Sequence, residues 1–186
     1  GKRVLHRLRW GLIPHWSKDP SIGAKLNNAR GESVGEKPSF RNAFAKRRCL
    51  IPATGFYEWQ PNGKTKQPYY FSGKSGAPLA LAGLWESWKA PDGPIVRTTC
   101  IITTAANELM APVHDRMPVI VSEGDWQRWL DAPAEEVADL IHPDAGNDLQ
   151  AWPVDGHLMS NDVGEPADRC VDTECCTTST TERNCP

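Results

Sequence analysis

The chain lacks any run of about eighteen consecutive apolar residues, the length a membrane-spanning helix needs. It lacks the alternation of strand and helix that builds parallel sheets, and it carries no internal repeat, which excludes solenoids and propellers. No zinc spacing is present. Four of the six cysteines, Cys170, Cys175, Cys176 and Cys185, crowd into the last seventeen residues with no histidine among them. Cys49 and Cys100 lie in the apolar runs "RRCLIP" and "TTCIITT". They read as small core residues, a usage in keeping with a reducing cytoplasm. No secretory leader precedes the basic opening "GKRVLHRLRW", and the first residue is not Met, so a fragment or a processed product is expected. No metal or organic cofactor is indicated.

What the chain does have is an uneven charge. Residues 1–50 hold twelve Lys/Arg against three Asp/Glu, a balance of +9; residues 51–186 hold nine against twenty, a balance of −11, which together give the net −2. A basic first third can line a phosphate-binding surface, although scattered surface charge would give the same total. At 186 residues, 39% of them hydrophobic, the chain is long enough for one domain with a real core.

Strand signals dominate the middle. "HRLRWGLIP" predicts a first strand ended by Pro14, followed by a long polar loop, "HWSKDPSIGAKLNNARGE". "KPSFRNAFAKR" predicts a short helix capped by Ser39, with Phe40 and Phe44 on one face. "RCLIPA", "GFYEWQ", "QPYYFS", "APLALAGLWESW" and "VRTTCIITT" predict five strands joined by turns such as "PNGK" and "APDGP". "MPVIV" reads as a buried strand. Ser122 with Asp125 resembles a capping box for "GDWQRWL", Pro133 suits the first position of a helix over "AEEVADLI", and "LQAWPV" predicts a last strand. The expected class is α+β: a mostly antiparallel sheet, curled or forming an open barrel, with peripheral helices. One domain is expected over residues 1–165. The polar, Thr-rich remainder, 166–186, is expected to be a disordered tail.

Four stretches set polar residues beside apolar strands. "LNNARGE" carries Asn28, whose amide can donate and accept at once, and Arg30, which can fork onto a phosphate; a hydrogen-bonded loop is the plain alternative. In "GFYEW", strand alternation puts Glu58 on the face of Phe56. A carboxyl there is either an acid raised toward neutrality by burial or an exposed group on an edge strand. "HDR" before "MPVIV" offers His114 as a proton shuttle and Arg116 as an anion partner, or simply a solvated turn. Trp16, on the long loop among basic residues, can stack on a base or fill the core.

The blocks "RWGLIPHW", "NARGE", "RRCLIPATGFYEW", "QPYYF", "LAGLWESW", "TTCIITTAAN" and "HDRMPVIV", in that order, closely resemble the SOS response-associated peptidase (SRAP) family over about residues 5–155. The resemblance implies recognition of abasic sites in single-stranded DNA and their capture as a covalent adduct. In that chemistry an N-terminal cysteine attacks the opened sugar aldehyde with its α-amine, and its thiol then closes a thiazolidine. Self-processing peptidase and lyase activities are also implied. By the same resemblance Asn28 positions the cysteine and the sugar, Glu58 moves protons during imine formation, and His114 assists ring opening. Arg30 and Arg116 then lie against phosphates, and Trp16 lies near the DNA.

The family's leading Met-Cys-Gly-Arg segment does not occur here. The expectation is therefore an N-terminally truncated domain, unable to crosslink by itself but drawn from an active parent if the chain is a fragment. Two other readings stay open. One is a crosslinking-dead single-stranded DNA-binding module; the other is a cysteine hydrolase using Cys49 and His114. A monomer, with no membrane partner, acting in the cytoplasm at the nucleoid completes the expectation.

Overall fold

The computed structural model describes residues 3–91 and 93–155, and the backbone of Thr173–Thr178. The chain runs β1 (Arg3–Trp10), β2 (Asn28–Arg30), α1 (Arg41–Lys46), β3 (Arg48–Ala53), β4 (Phe56–Asn62), β5 (Thr65–Gly73), β6 (Leu79–Lys89), β7 (Ile95–Ala105), β8 (Arg116–Pro118), α2 (Trp126–Asp131), β9 (Leu149–Pro153) and β10 (Thr173–Thr178), with short 3-10 turns between. No helix among the described residues is long and apolar enough to cross a membrane.

Two sheets form. The larger has the order β1-β10-β3-β6-β7-β2, with β8 also on β7. It curls back on itself because Arg9 and Trp10 of β1 pair in parallel with Thr98 and Thr99 of β7. The smaller sheet is β4-β5-β9, antiparallel throughout. The class is the expected α+β, with a curled, mostly antiparallel sheet and helices at its margin; only the pairings of β1 and β2 with β7 are parallel.

β7 is the pivot, and its composition explains how. "IVRTTCIITTA" is β-branched almost throughout, which suits a pleated strand buried on both faces. Its buried threonines are satisfied: Thr98 Oγ1 accepts from the Ile13 N–H at 2.9 Å, and Thr99 Oγ1 donates to the Leu84 carbonyl at 2.8 Å. At the end of β1, Gly11 takes φ +107°, a conformation that side-chain-bearing residues rarely adopt; a Cβ there would meet the Gly23 carbonyl oxygen at 2.7 Å. Here Leu12 N–H reaches the Leu26 carbonyl at 3.1 Å, so the chain turns at Gly11 and not at Pro14.

The main core packs Leu12, Val34, Phe40, Phe44, Leu84, Ile102, Val119 and Trp129 between the curled sheet and the helices. Arg48 ties the two helices to it. Although buried, its guanidinium donates to the carbonyls of Phe44 and Trp129, each at 2.6 Å, and to that of Ala132. These are last-turn carbonyls of α1 and α2, left orphaned by the helix geometry. A second cluster, Phe71, Met110, Val113, Met117 and Leu149, lies behind the inner face of the small sheet.

Several local expectations are corrected. Ser39 does not cap α1: Phe40 occupies that position without a side-chain bond, because the preceding turn already directs Arg41 N–H to the Lys37 carbonyl at 2.9 Å. Ser122 and Asp125 form no capping box; the Ser122 hydroxyl donates to the Asp125 carboxylate at 2.6 Å and accepts from no helix N–H. "AEEVADLI" forms two 3-10 turns, Ala134–Glu136 and Ala138–Leu140, with Pro133 ahead of the first. The long loop contains a 3-10 turn, Pro20–Lys25, capped by Asp19, and the strand β2. "MPVIV" is ladder only as far as Pro118, which has no N–H to give; beyond it, Val119 N–H bonds Ile102 at 2.9 Å and Val121 N–H bonds Ala80 at 2.9 Å. In the expected tail, Thr173–Thr178 is a strand between β1 and β3, where two sheet edges offer unpaired backbone groups. The rest of 166–186 lies outside the described residues.

Candidate functional site

A cavity of about 440 Å³ opens where the two sheets meet, lined by residues of β1, β2, β4, β7 and the segment leading into β8. Strand alternation decides which side chains reach it. In β2, Ala29 is wholly buried, so Asn28 and Arg30 share the opposite, cavity-facing side. They pair with Ile101 and Thr103 of β7, which line the same wall. In β4, Phe56 and Glu58 turn inward, and Phe56 stacks on Phe71 with ring centres 5.2 Å apart. Gln60, on the same face, donates to the Pro112 carbonyl at 2.8 Å, which ties β4 to the turn that carries His114. That turn is wound by Asn107, whose side-chain oxygen accepts from the Met110 N–H at 2.9 Å, and His114 N–H follows onto the Met110 carbonyl at 3.0 Å.

Asn28, Glu58 and His114, distant in sequence, therefore line one cavity, together with Arg30 and Arg116. The side-chain amide of Asn28 makes no hydrogen bond to any described residue, so both its donor and its acceptor are available. Burial pushes the Glu58 carboxyl above the usual carboxylate range; a positive charge on His114 and the Trp59 N–H pull it back, and Asp115 pushes it further up. His114 Nδ1 accepts from the Arg116 N–H at 2.9 Å. The same Nδ1 lies 3.2 Å from the Arg116 carbonyl oxygen, so whether it donates or accepts there follows the tautomer. Asp115 lies 3.3 Å from Nδ1 but is largely exposed and so bears on His114 only weakly.

Arg116 is not a free cation. Its two terminal nitrogens hold Glu32 in a fork, at 2.6 and 2.9 Å, and one of them also donates to the Thr103 carbonyl at 2.7 Å. Those bonds draw the Glu32 carboxyl below its ordinary range. Arg116 Nε is buried without a partner among the described residues. Arg30 is exposed, and its guanidinium makes no hydrogen bond to any described residue.

Trp16 does not line the cavity. It is half exposed on the loop after β1, next to Ser17, whose carbonyl accepts from the Trp88 ring at 2.6 Å. The tryptophan in the wall is Trp10, 41% exposed, with its Nε1–H on the Asn27 carbonyl at 2.9 Å. Sequence reasoning passed over Trp10 because it ends a strand and looks like core; the Gly that follows, which lets the chain turn away, was the available signal. Tyr57 was also missed. Cys49 is fully buried and absent from the wall, with Sγ 3.8 Å from Thr99 Oγ1, so it forms no dyad with His114 there. Among the described residues, no group of three or more His, Cys, Asp or Glu is placed to hold a metal.

The likeness to known proteins runs through these same strands. The SOS response associated peptidase (SRAP) family matches residues 1–161. Abasic site processing protein YoqW of Bacillus subtilis (strain 168) is 43% identical over 166 residues, covering 87% of this chain and 74% of that protein. Abasic site processing protein HMCES of Xenopus tropicalis is 36% identical over 169 residues, covering 76% of this chain and 50% of that one. A crystal structure of a protein from Bacteroides thetaiotaomicron superposes with a TM-score of 0.78 at 31% identity, covering 86% of this chain and 73% of that one. With the family matched over most of its length, the chain belongs to the SOS response associated peptidase (SRAP) family.

Proposed function

We propose that the cavity receives the sugar of an abasic site extruded from single-stranded DNA. The observation that carries this reading is the meeting, in one 440 Å³ space, of an amide with no hydrogen bond to any described residue, a carboxyl raised by burial and an imidazole. That is the equipment for acid–base work on a small oxygen-rich ring. The relatives named for abasic site processing support the choice of substrate.

In the proposed chemistry the His114 imidazole donates a proton to the ring oxygen, the C1′ hydroxyl gives its proton to the Glu58 carboxylate, and the bond between C1′ and the ring oxygen breaks to leave the aldehyde. An N-terminal cysteine, which is not among these residues ahead of "RWGLIP", supplies the α-amine. Its nitrogen bonds to C1′ and passes one proton to the carbonyl oxygen; Glu58 gives that oxygen a second proton, water leaves, and the nitrogen returns its remaining proton to Glu58 to leave the imine. The thiol then adds across the carbon–nitrogen double bond, its proton passing to nitrogen, and a thiazolidine closes. An α-amine has an ordinary pKa near 8, so it holds far more free base at neutral pH than a lysine near 10.4. Asn28 orients the sugar hydroxyls, and exposed Arg30 meets a flanking phosphate.

The test compares this chain with a version carrying the family's leading cysteine segment, each incubated with a single-stranded oligonucleotide holding one abasic site. A denaturing gel should show an adduct with the extended version only, and Glu58→Gln should slow its formation by about a hundredfold, the lower end of a general acid's contribution. No adduct from the extended version refutes the reading. A second reading is a binding module without chemistry, for which exposed Arg30 and the partly exposed Trp10 in the wall would supply phosphate contact and stacking. It predicts equal affinity for damaged and undamaged strands.

A further inference from the structure

On its outer face the small sheet carries a row of aromatic rings, of which only Tyr57 also lines the cavity. Tyr57 of β4 pairs with Tyr70 of β5, which pairs with Trp152 of β9. The rings follow that register: the Tyr57 and Tyr70 centres lie 4.8 Å apart at 48°, and those of Tyr70 and Trp152 lie 5.3 Å apart at 67°. Tyr57 and Trp152 are 42% and 41% exposed, well beyond what a packed ring shows. The row is also held in place. A Cβ on Gly55 would come within 2.4 Å of the Tyr70 ring, so the absent side chain is the seat of that phenol, whose hydroxyl reaches Thr54 Oγ1 at 3.4 Å.

Two features say what covers this row. It is continuous with the cavity, because Tyr57 belongs to both. It is also flanked by positive charge: Lys66 shares the Tyr70 face by alternation, and Lys64 sits exposed in the same hairpin. Exposed rings beside lysines suit nucleobases and the phosphates that link them. We propose that the Tyr57–Tyr70–Trp152 row is a stacking ledge for the unpaired bases that flank the nucleotide in the cavity. The tilts between rings make it stepped, which suits bases splayed apart where a strand bends around an extruded sugar. The proposal rests on the cavity's being a DNA site, and it assigns the path of the strand beyond it.

The experiment measures binding of oligodeoxythymidylates of three and eight nucleotides, with and without a central abasic site, at one fixed salt concentration. Tyr70→Ala and Trp152→Ala should each weaken binding of the eight-nucleotide strands about tenfold. Both should leave the three-nucleotide strands unchanged, and Tyr70→Phe should bind as the unaltered chain does. Should a variant unfold, photocrosslinking of the unaltered chain replaces it: 4-thiothymidine placed three nucleotides from the lesion should label peptides containing Tyr70 or Trp152. Unchanged affinity in folded variants, or labelling confined to other peptides, overturns the ledge. So does self-association that Tyr70→Ala abolishes with DNA binding intact, since the row would then be a contact between copies. A loss confined to long strands but indifferent to the lesion keeps the ledge and removes the abasic-site reading; lesion preference without length dependence does the reverse.

Discussion

Replacing Arg48 by Met tests whether a buried cation holds the helices to the sheet. In the folded chain three carbonyls, those of Phe44, Trp129 and Ala132, accept from one guanidinium, which also lies 5.8 and 5.7 Å from the Phe44 and Trp129 ring centres. Each bond to a charged donor contributes roughly 1.5–3 kcal/mol, so the three together are worth about 4.5–9 kcal/mol. Against this stands the desolvation of a guanidinium with 5% of its residue surface exposed, several kcal/mol by the general cost of burying an ion; the same burial lowers its pKa. Methionine restores part of the packing, and water can reach the half-buried Ala132 end. The net expected loss is about 3 kcal/mol, or roughly 6–12 °C in Tm for a chain of this size. Arg48→Lys should recover little, because one ammonium cannot span three carbonyls with the geometry of a planar fork. Urea unfolding followed by tryptophan fluorescence and circular dichroism measures it, with equal slopes required of both proteins. A loss below about 1 kcal/mol would mean that the helix-end carbonyls do not need the guanidinium, and the account of its burial would be wrong.

Glu58→Gln is expected to stabilise the fold at neutral pH. A carboxyl held above its unfolded pKa of about 4.3 weakens the fold as pH rises past that value, so the gain should vanish below about pH 4; parallel stability curves at every pH would refute burial as the cause. Glu32→Gln acts with the opposite sign. Its lowered pKa gives stability present above about pH 4.3 and lost as pH falls through the folded value, worth no more than about 1 kcal/mol because the carboxylate is over half exposed. The same change frees Arg116 and should steepen the salt dependence of DNA binding by about one counterion; an unchanged slope places Arg116 outside phosphate reach. Cys49 and Cys100, both fully buried, should resist a thiol reagent in the folded chain while labelling in urea, as peptide mass spectrometry would show; rapid native labelling of Cys49 would revive a cysteine hydrolase.

Much of this was legible in the sequence, for reasons that differ by residue. β4 and β7 announce themselves by alternation and β-branching, and alternation alone puts Glu58 beside Phe56. The joint appearance of Asn28, Glu58 and His114 in one cavity followed from resemblance, because no periodic signal links residues so far apart. β2 was hidden. Three residues within a polar loop carry no strand signature, and they pair only because β7 offers them an edge. Helix starts were misread where serine and proline suggested caps, because the local turns had already satisfied the relevant N–H groups. The partner of Arg116 was equally invisible: Glu32 stands next to the "NAR" motif but reaches Arg116 only once β2 and β8 flank the same strand.

That last pairing bears on how such a site holds a raised carboxyl at all. A buried acid relieves its own burial by drawing in a cation or water. Arg116, which lines the same cavity, is engaged elsewhere: its two terminal nitrogens bond Glu32, and one of them also donates to the Thr103 carbonyl. Arg116 also meets the site through its backbone, whose N–H lies 2.9 Å from His114 Nδ1. One residue thus ties the segment after β2 to β8 and anchors the imidazole. On this argument the Glu32 fork keeps the Arg116 guanidinium engaged at the cavity's edge, so the burial that raises Glu58 is not offset by it. The cavity's chemistry then depends on an ion pair at its edge as much as on the side chains that would touch the sugar.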